Sequence, residues 1–156
     1  MIKVYIPDYG TLELEHLVLD YNGTLARDGQ GLPGVPEALR ALEGKLEVHV
    51  ITADTFGSAA AGLKGLPCGL TVLDSGRQAE AKAAYLRGLG AARCAAVGNG
   101  RNDRLMLKEA ALGIVVVQEE GASAETLANA RVVCRDIRDA LGLLLNPQRL
   151  VATLRG

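Results

Sequence analysis

Six short apolar runs, separated by stretches of helix length, restrict the fold of this chain more than any other feature of its sequence. They cover residues 17–19, 48–51, 70–73, 94–97, 113–117 and 131–134. None alternates strictly between apolar and polar residues. A continuous apolar run marks a strand covered on both faces, as in a parallel sheet sandwiched by helices. The intervening stretches, 36–43, 55–63, 77–89, 102–111, 123–128 and 136–145, are predicted helices. Pro36, Ser75 ahead of Arg77, Asn102 and Ser123 supply start signals, and Gly44, Gly90 and Gly113 stop signals. Strand and helix in alternation predict βαβ crossovers and a doubly wound, Rossmann-like parallel sheet of α/β class. Residues 3–6 and 11–15 do alternate, around Pro7-Asp8-Tyr9-Gly10, and predict an N-terminal β-hairpin. Pro147 opens a short last helix over 148–154. With 156 residues and no linker or low-complexity tract, the expected organisation is one domain over 1–156. Within it, 1–15 form the hairpin, 16–134 the core and 135–156 the C-terminal helices. The connections after Thr24 and Thr52 are short, so no cap domain is expected.

Two of the predicted strands end in unusual chemistry. Asp20-Tyr21-Asn22-Gly23-Thr24 follows the first core strand, and Gly98-Asn99-Gly100-Arg101-Asn102-Asp103 follows the fourth. A carboxylate at the tip of a buried strand is costly unless a cation or hydrogen bonds compensate it. In a doubly wound sheet, ligands bind at the carboxyl ends of the strands near the reversal of strand order. Strand ends there offer Asp20, Thr52, Asn99 and Asp103, and Lys82 lies in the helix before the Asn99 strand. Asp20 can attack phosphorus and split a displacement into two steps. The backbone around Asn22, Gly23 and Thr24, the Thr52 hydroxyl and the Lys82 ammonium can hold phosphoryl oxygens and neutralise their charge. Asp20 and Asp103, with oxygen from Asn99 and a backbone carbonyl, form a donor set suited to Mg²⁺. Each residue alone has a plainer reading: a turn at Asn22-Gly23, a helix start at Asn102, a structural hydroxyl at Thr52, a solvated lysine at Lys82. Their order and combination favour the functional one. Asp54 reads as a helix cap near the site, and Arg101 and Arg104 as solvated.

Composition narrows the alternatives. Apolar residues make up 49%, charged residues 22% and the formal net charge is −1, which gives no electrostatic reason for a nucleic-acid or anionic-membrane partner. Aromatics are 3% and Trp is absent, against a base-stacking surface. Cys68, Cys94 and Cys134 are widely spaced without a CxxC or Cys/His pairing, against a zinc site or a disulfide framework; Cys94 and Cys134 read as small buried hydrophobes. His16 reads as a lone histidine, neither base nor ligand. No leader-like or membrane-length apolar segment is evident, so a cytoplasmic location is expected.

The ordered motifs resemble the haloacid dehalogenase-like (HAD) superfamily of phosphotransferases, and within it the soluble proteins related to the phosphorylation domain of P-type ATPases. Asp20, two residues on, then Gly23-Thr24 match the nucleophile motif. Thr52 matches the strand-ending Thr or Ser, Lys82 the upstream lysine, and the 98–103 loop the Gly-Asp-Gly-x-Asn-Asp motif; 105–117 look like the ATPase segment after that loop. The resemblance implies a capless Mg²⁺-dependent phosphatase working through an aspartyl-phosphate on Asp20. It also implies a phosphorylated small molecule or macromolecule as substrate, and leaves room for a homo-oligomer that covers the open site. Two positions depart from the pattern. Asn22 stands where the proton-transferring Asp is common, and an amide is no acid or base near pH 7. Asn99 stands where a metal-binding Asp is expected. These substitutions imply slow turnover, and motivate a second reading in which the chain is a catalytically weak phosphate- and Mg²⁺-binding regulatory module. Transport is excluded by the missing membrane segments.

Overall fold

The computed structural model describes residues 1–53 and 57–156; the start of the second predicted helix and Asp54 lie outside the described residues. The chain opens with β1 (Ile2–Ile6) and β2 (Gly10–Leu14), an antiparallel hairpin whose buried residues Ile2, Val4, Ile6, Leu12 and Leu14 face the core. Lys3 pairs with Glu13 directly across the two strands. β3 (His16–Asp20) follows, then a small antiparallel pair, β4 (Ala26–Arg27) and β5 (Gln30–Gly31), and α1 (Val35–Leu42). Next come β6 (Glu47–Thr52), α2 (Ser58–Gly62), β7 (Gly69–Val72), α3 (Gln78–Leu89) and β8 (Cys94–Gly98). A 3₁₀ turn, Arg101–Asp103, leads into α4 (Arg104–Glu109) and β9 (Leu112–Val116). The chain finishes with α5 (Ala124–Asn129), β10 (Val132–Cys134), α6 (Ile137–Leu145) and α7 (Gln148–Leu154).

Six strands form one parallel sheet in the order β10-β9-β8-β3-β6-β7. The order reverses between β3 and β8, which is where a doubly wound sheet opens a crevice beyond its strand tips. The period-two alternation of a strand explains why both faces are buried. In β3, Leu17 and Leu19 join the core under the hairpin, α1 and α6, whereas Val18 joins Leu86 of α3 and Met106 and Leu107 of α4. All three β3 residues are fully buried, and each contributes about 1.5–3 kcal/mol of apolar burial. Apolar burial thus holds in place a strand that ends in a carboxylate. The predicted strands and helices among the described residues are all present, with ends displaced by a residue or two, and no cap domain interrupts them.

Three local expectations need correction. The connection after Thr24 carries the β4–β5 pair, whose turn residues Asp28 and Gly29 have φ of 51° and 79°. That left-handed pair is the turn an Asp-Gly dipeptide favours. Gly113 lies within β9 and ends no helix; a Cβ there would come within 2.1 Å of the Leu107 carbonyl oxygen, so the position serves close packing of α4 on the sheet. Asn102 does not start an α-helix but sits in the 3₁₀ turn, its Nδ2 donating to Gln78 Oε1 at 2.7 Å. The cysteines are free thiols, as expected, and burial pushes Cys94 and Cys134 up to about 11. No described helix is long and apolar enough to cross a membrane.

Candidate active site

Parallel pairing brings the two motif-bearing strand tips side by side. Leu19 pairs with Val97, so Asp20 emerges beside the Gly98-Asn99 turn, at the crevice between β3 and β8. On the other flank Asp20 pairs with Ile51, which sets Thr52, the next residue of β6, one step beyond it. Thr52 is buried and engaged within the fold. Lys82 reaches the same point from the second turn of α3. Its fully buried ammonium donates to Asp20 Oδ1 at 2.7 Å and to Asp103 Oδ1 at 2.7 Å.

Asp103, also fully buried, uses its other oxygen to fold the second loop: Oδ2 accepts from the N–H of Asn99 at 3.0 Å and of Gly100 at 2.9 Å. The Thr24 hydroxyl lies 3.4 Å from Asp20 Oδ2 and 3.3 Å from Asn99 Oδ1, linking the two strand tips. The remaining polar end of Asn99, Nδ2, donates to the Gly121 carbonyl at 3.0 Å, which turns its Oδ1 toward Thr24. Gly23 has φ 79°, and a Cβ on it would stand 2.3 Å from Asn99 Nδ2. The left-handed turn and the close approach both demand glycine there. The N–H groups of Gly23 and Thr24 are held by the carbonyls of Ala26 and Tyr21 at 2.8 and 3.2 Å, so they shape the loop in this state. Asn22 is exposed at the loop surface.

Among the described residues no buried side-chain nitrogen or oxygen lacks a partner, so the charges are compensated as a network. The compensation is incomplete in energy. Burial, and then the charge of Asp103, push the Asp20 carboxyl up to about 7 against the pull of Lys82. Burial alone would lower Lys82, but the two carboxylates outweigh it and raise its pKa. A carboxylate held this far from its ordinary range, in a crevice, has the signature of a functional group.

Asp20, Thr24, Lys82, Asn99 and Asp103 are thus joined by hydrogen bonds, Thr52 is buried one residue beyond the Asp20 partner on β6, and Asn22 is exposed. Sequence reasoning missed Gln118. Its Nε2 donates to the carbonyls of Gly23 and Thr24, both at 3.0 Å, while its Oε1 accepts from the Ile137 N–H at 2.8 Å. One side chain so fastens the loop after β3 to the start of α6. A lone Gln after an apolar strand carries no signal of that role. A cavity of about 610 Å³ meets this loop only at Gly23 and is lined by Arg27, Arg135 and Arg138, beside rather than over Asp20.

No family model matches the chain. Over 60 residues, 38% of the chain, it is 55% identical to the uncharacterized protein MJ0073 of Methanocaldococcus jannaschii, and it spans 64% of that protein's length. Over 39 residues, 25% of the chain, it is 44% identical to the uncharacterized protein MJ0072 of the same organism, spanning 89% of it. In structure it is similar to the 3-deoxy-D-manno-octulosonate 8-phosphate phosphatase of Moraxella catarrhalis, solved with magnesium, phosphate and KDO: TM-score 0.72, 18% identity, covering 89% of this chain and 90% of that one. It is similar too to a HAD superfamily (subfamily III A) hydrolase fold from Legionella pneumophila: TM-score 0.73, 16% identity, 92% and 88% covered. The chain has the fold of the HAD hydrolases, and by its match across most of MJ0072 it belongs to that protein's family.

Proposed function

We propose that this chain is a Mg²⁺-dependent phosphatase or phosphotransferase that forms an aspartyl-phosphate on Asp20. The observation that carries the reading is the Asp20–Lys82–Asp103 network at the β3/β8 crevice, where a carboxylate is held at an energetic disadvantage. The likeness in fold to a phosphatase solved with magnesium and phosphate supports it.

A carboxylate oxygen of Asp20 attacks the phosphorus, and the bond from phosphorus to the leaving oxygen breaks with its electron pair going to the leaving group. Lys82 offsets the charge, the Thr52 hydroxyl holds a phosphoryl oxygen, and the 22–24 loop encloses the group. Asp103 positions Lys82 and the Asn99-Gly100 turn. Water then attacks the phosphorus of the acyl-phosphate, the bond from phosphorus to the Asp20 oxygen breaks to restore the carboxylate, and the proton of the water passes to solvent. The donors fit Mg²⁺: Asp20 Oδ2 and Asn99 Oδ1 both lie within reach of the one Thr24 hydroxyl, and all are hard oxygens. Asp20, Asn99 and the Asn22 carbonyl would hold the ion, with Asp103 completing the acidic set. Bound there, Mg²⁺ would neutralise phosphoryl charge.

Asn22 supplies no proton to the leaving group and no base to the attacking water, so the phosphoenzyme is long-lived and activated aryl or acyl phosphates are favoured substrates. In this respect the proposal places the chain beside the soluble relatives of the P-type ATPase phosphorylation domain. Without a cap, substrate selection falls to a large phosphorylated substrate or to a second copy of the chain.

The test is hydrolysis of an aryl phosphate with Mg²⁺, with formation of a BeF₃⁻ adduct as a second readout. Wild type should show both and Asp20→Asn neither. Adduct without turnover selects the regulatory, weakly catalytic reading; neither signal in wild type overturns the proposal. Asn22→Asp should raise turnover by roughly 10²-fold or more if the missing acid limits the rate.

A further inference from the structure

At the opposite end of the sheet, where β3 and β6 begin, three metal-ligating side chains meet. His16 opens β3 and pairs in register with Glu47, which opens β6; His49 lies two residues further on the same face. His16 Nδ1 is 3.1 Å from His49 Nε2 and 3.4 Å from Glu47 Oε2, and His49 Nε2 is 3.8 Å from Glu47 Oε1. Their ligand atoms all lie within 4.8 Å of one another. A tetrahedral ion with bonds of about 2.0–2.1 Å separates its ligand atoms by about 3.3 Å, and these separations bracket that value.

The outer contacts also fit. His49 Nδ1 is 3.0 Å from the Tyr85 hydroxyl of α3, and the rings meet edge-on at 5.8 Å. With Nδ1 carrying the proton and donating to Tyr85, the lone pair on Nε2 points at His16 and Glu47. An oxygen partner on the far ring nitrogen is how metal-ligating histidines are oriented. Among the described residues Glu47 pairs with these two histidines and with no lysine or arginine. Its exposure leaves the fourth ligand position open to solvent.

We propose that His16 Nδ1, His49 Nε2 and Glu47 form a second metal site, for a divalent transition ion of the Zn²⁺ class. It clamps the amino ends of β3 and β6, roughly 13 Å along β3 from the Asp20 end. Two imidazoles with one carboxylate suit Zn²⁺, Co²⁺ or Ni²⁺ and disfavour Mg²⁺.

Calorimetric titration of Zn²⁺ into the metal-free protein, with excess Mg²⁺ present, reads this site separately from the oxygen-ligand one. Wild type and Asp20→Asn should each bind one Zn²⁺ here, with a rise in Tm, and Co²⁺ should give the intense visible bands of a low-coordinate nitrogen site. Tyr85→Phe should weaken binding by about 10–100-fold, and His16→Gln with His49→Gln should abolish it. Glu47→Gln, a change at an exposed position, should weaken binding at least tenfold with the fold intact, and so decides the matter if the double variant fails to fold. The proposal is overturned if wild type binds no Zn²⁺, if the Glu47 and histidine variants bind as tightly as wild type, or if Asp20→Asn removes the binding.

Discussion

The two ends of β3 both gather ionisable side chains, and they settle the charge in opposite ways. At the carboxyl end, two buried carboxylates share an internal cation: Lys82 donates to Asp20 and to Asp103 at 2.7 Å each. At the amino end, His16, Glu47 and His49 meet at the surface, and no lysine or arginine joins them among the described residues. The first end is internally paired: among the described residues no buried side-chain nitrogen or oxygen lacks a partner. The second is open on the Glu47 side. Charge buried around one internal cation raises the stakes of that cation, because removing it strands both carboxylates. Charge at a rim leaves room for an external ion and carries little of the fold's stability.

The largest effect that tests this contrast is Lys82→Met. Removing the ammonium leaves Asp20 and Asp103 buried together, which costs about 3–5 kcal/mol near neutral pH. Glu47→Gln at the other end should change metal-free stability by no more than about 0.5 kcal/mol. Urea denaturation of the two variants measures both. The Lys82→Met deficit should shrink at pH 5, where a proton on one carboxylate replaces the missing cation. Equal costs at the two ends would break the distinction.

A finer test concerns Asp20 itself. Its carboxyl is raised from an ordinary 3.8 to about 7, so the folded chain binds a proton that the unfolded chain has released. Metal-free stability therefore falls as pH climbs from about 4 to about 7 through this group, and the loss is complete above 7. Asp20→Asn should remove that loss. The variant should be more stable than wild type by about 1–3 kcal/mol at pH 8, with the gain vanishing toward pH 4. Mg²⁺ should close the gap by stabilising only wild type. No gain at pH 8 would mean that Asp20 ionises without strain. A buried carboxylate that destabilises its own fold is the kind of cost a functional site carries.

The same asymmetry governs what could be read in the sequence. The carboxyl end was legible because each of its residues falls at a strand tip or one turn inside a helix, and strand tips show up as apolar runs that end in Asp, Thr or Gly-Asn. Asp20, Thr52 and the 98–103 loop are local signals, and the parallel sheet then superposes them. Lys82 was legible only through its place in an ordered set of motifs, because a lysine in a helix looks solvated until the α3 packing buries it. The amino end was not legible. His16 and His49 are 33 positions apart in sequence, and only the register of β3 against β6 makes them neighbours. Gln118 escaped for the same reason: its partners, Gly23, Thr24 and Ile137, lie in segments distant in sequence. Asp28-Gly29 could have been found, since an Asp-Gly turn is a local signal.

The smallest expected effect separates the amino end from the carboxyl end by the sign of its pH response. Burial, and the charge of His16, lower His49 below its ordinary 6.5, against the opposing pull of Glu47. The unfolded chain then takes up a proton at His49 before the folded chain does, so stability falls as pH drops through about 6.5 toward the folded value. This slope runs against that of Asp20, which stabilises the metal-free fold on acidification. The groups that face His49 are His16 and Glu47 on the sheet and Tyr85 on α3, and none of them reverses the sign. In the Asp20→Asn background, where the larger opposing slope is gone, thermal melts between pH 7.5 and 5.5 should show a fall in Tm of no more than about 3 °C. Adding His49→Gln should flatten it. A rise in Tm on acidification in Asp20→Asn would mean that the folded histidine pair gains a proton in place of losing one, with Glu47 acting as its counter-ion, and that the amino end is held by protonation.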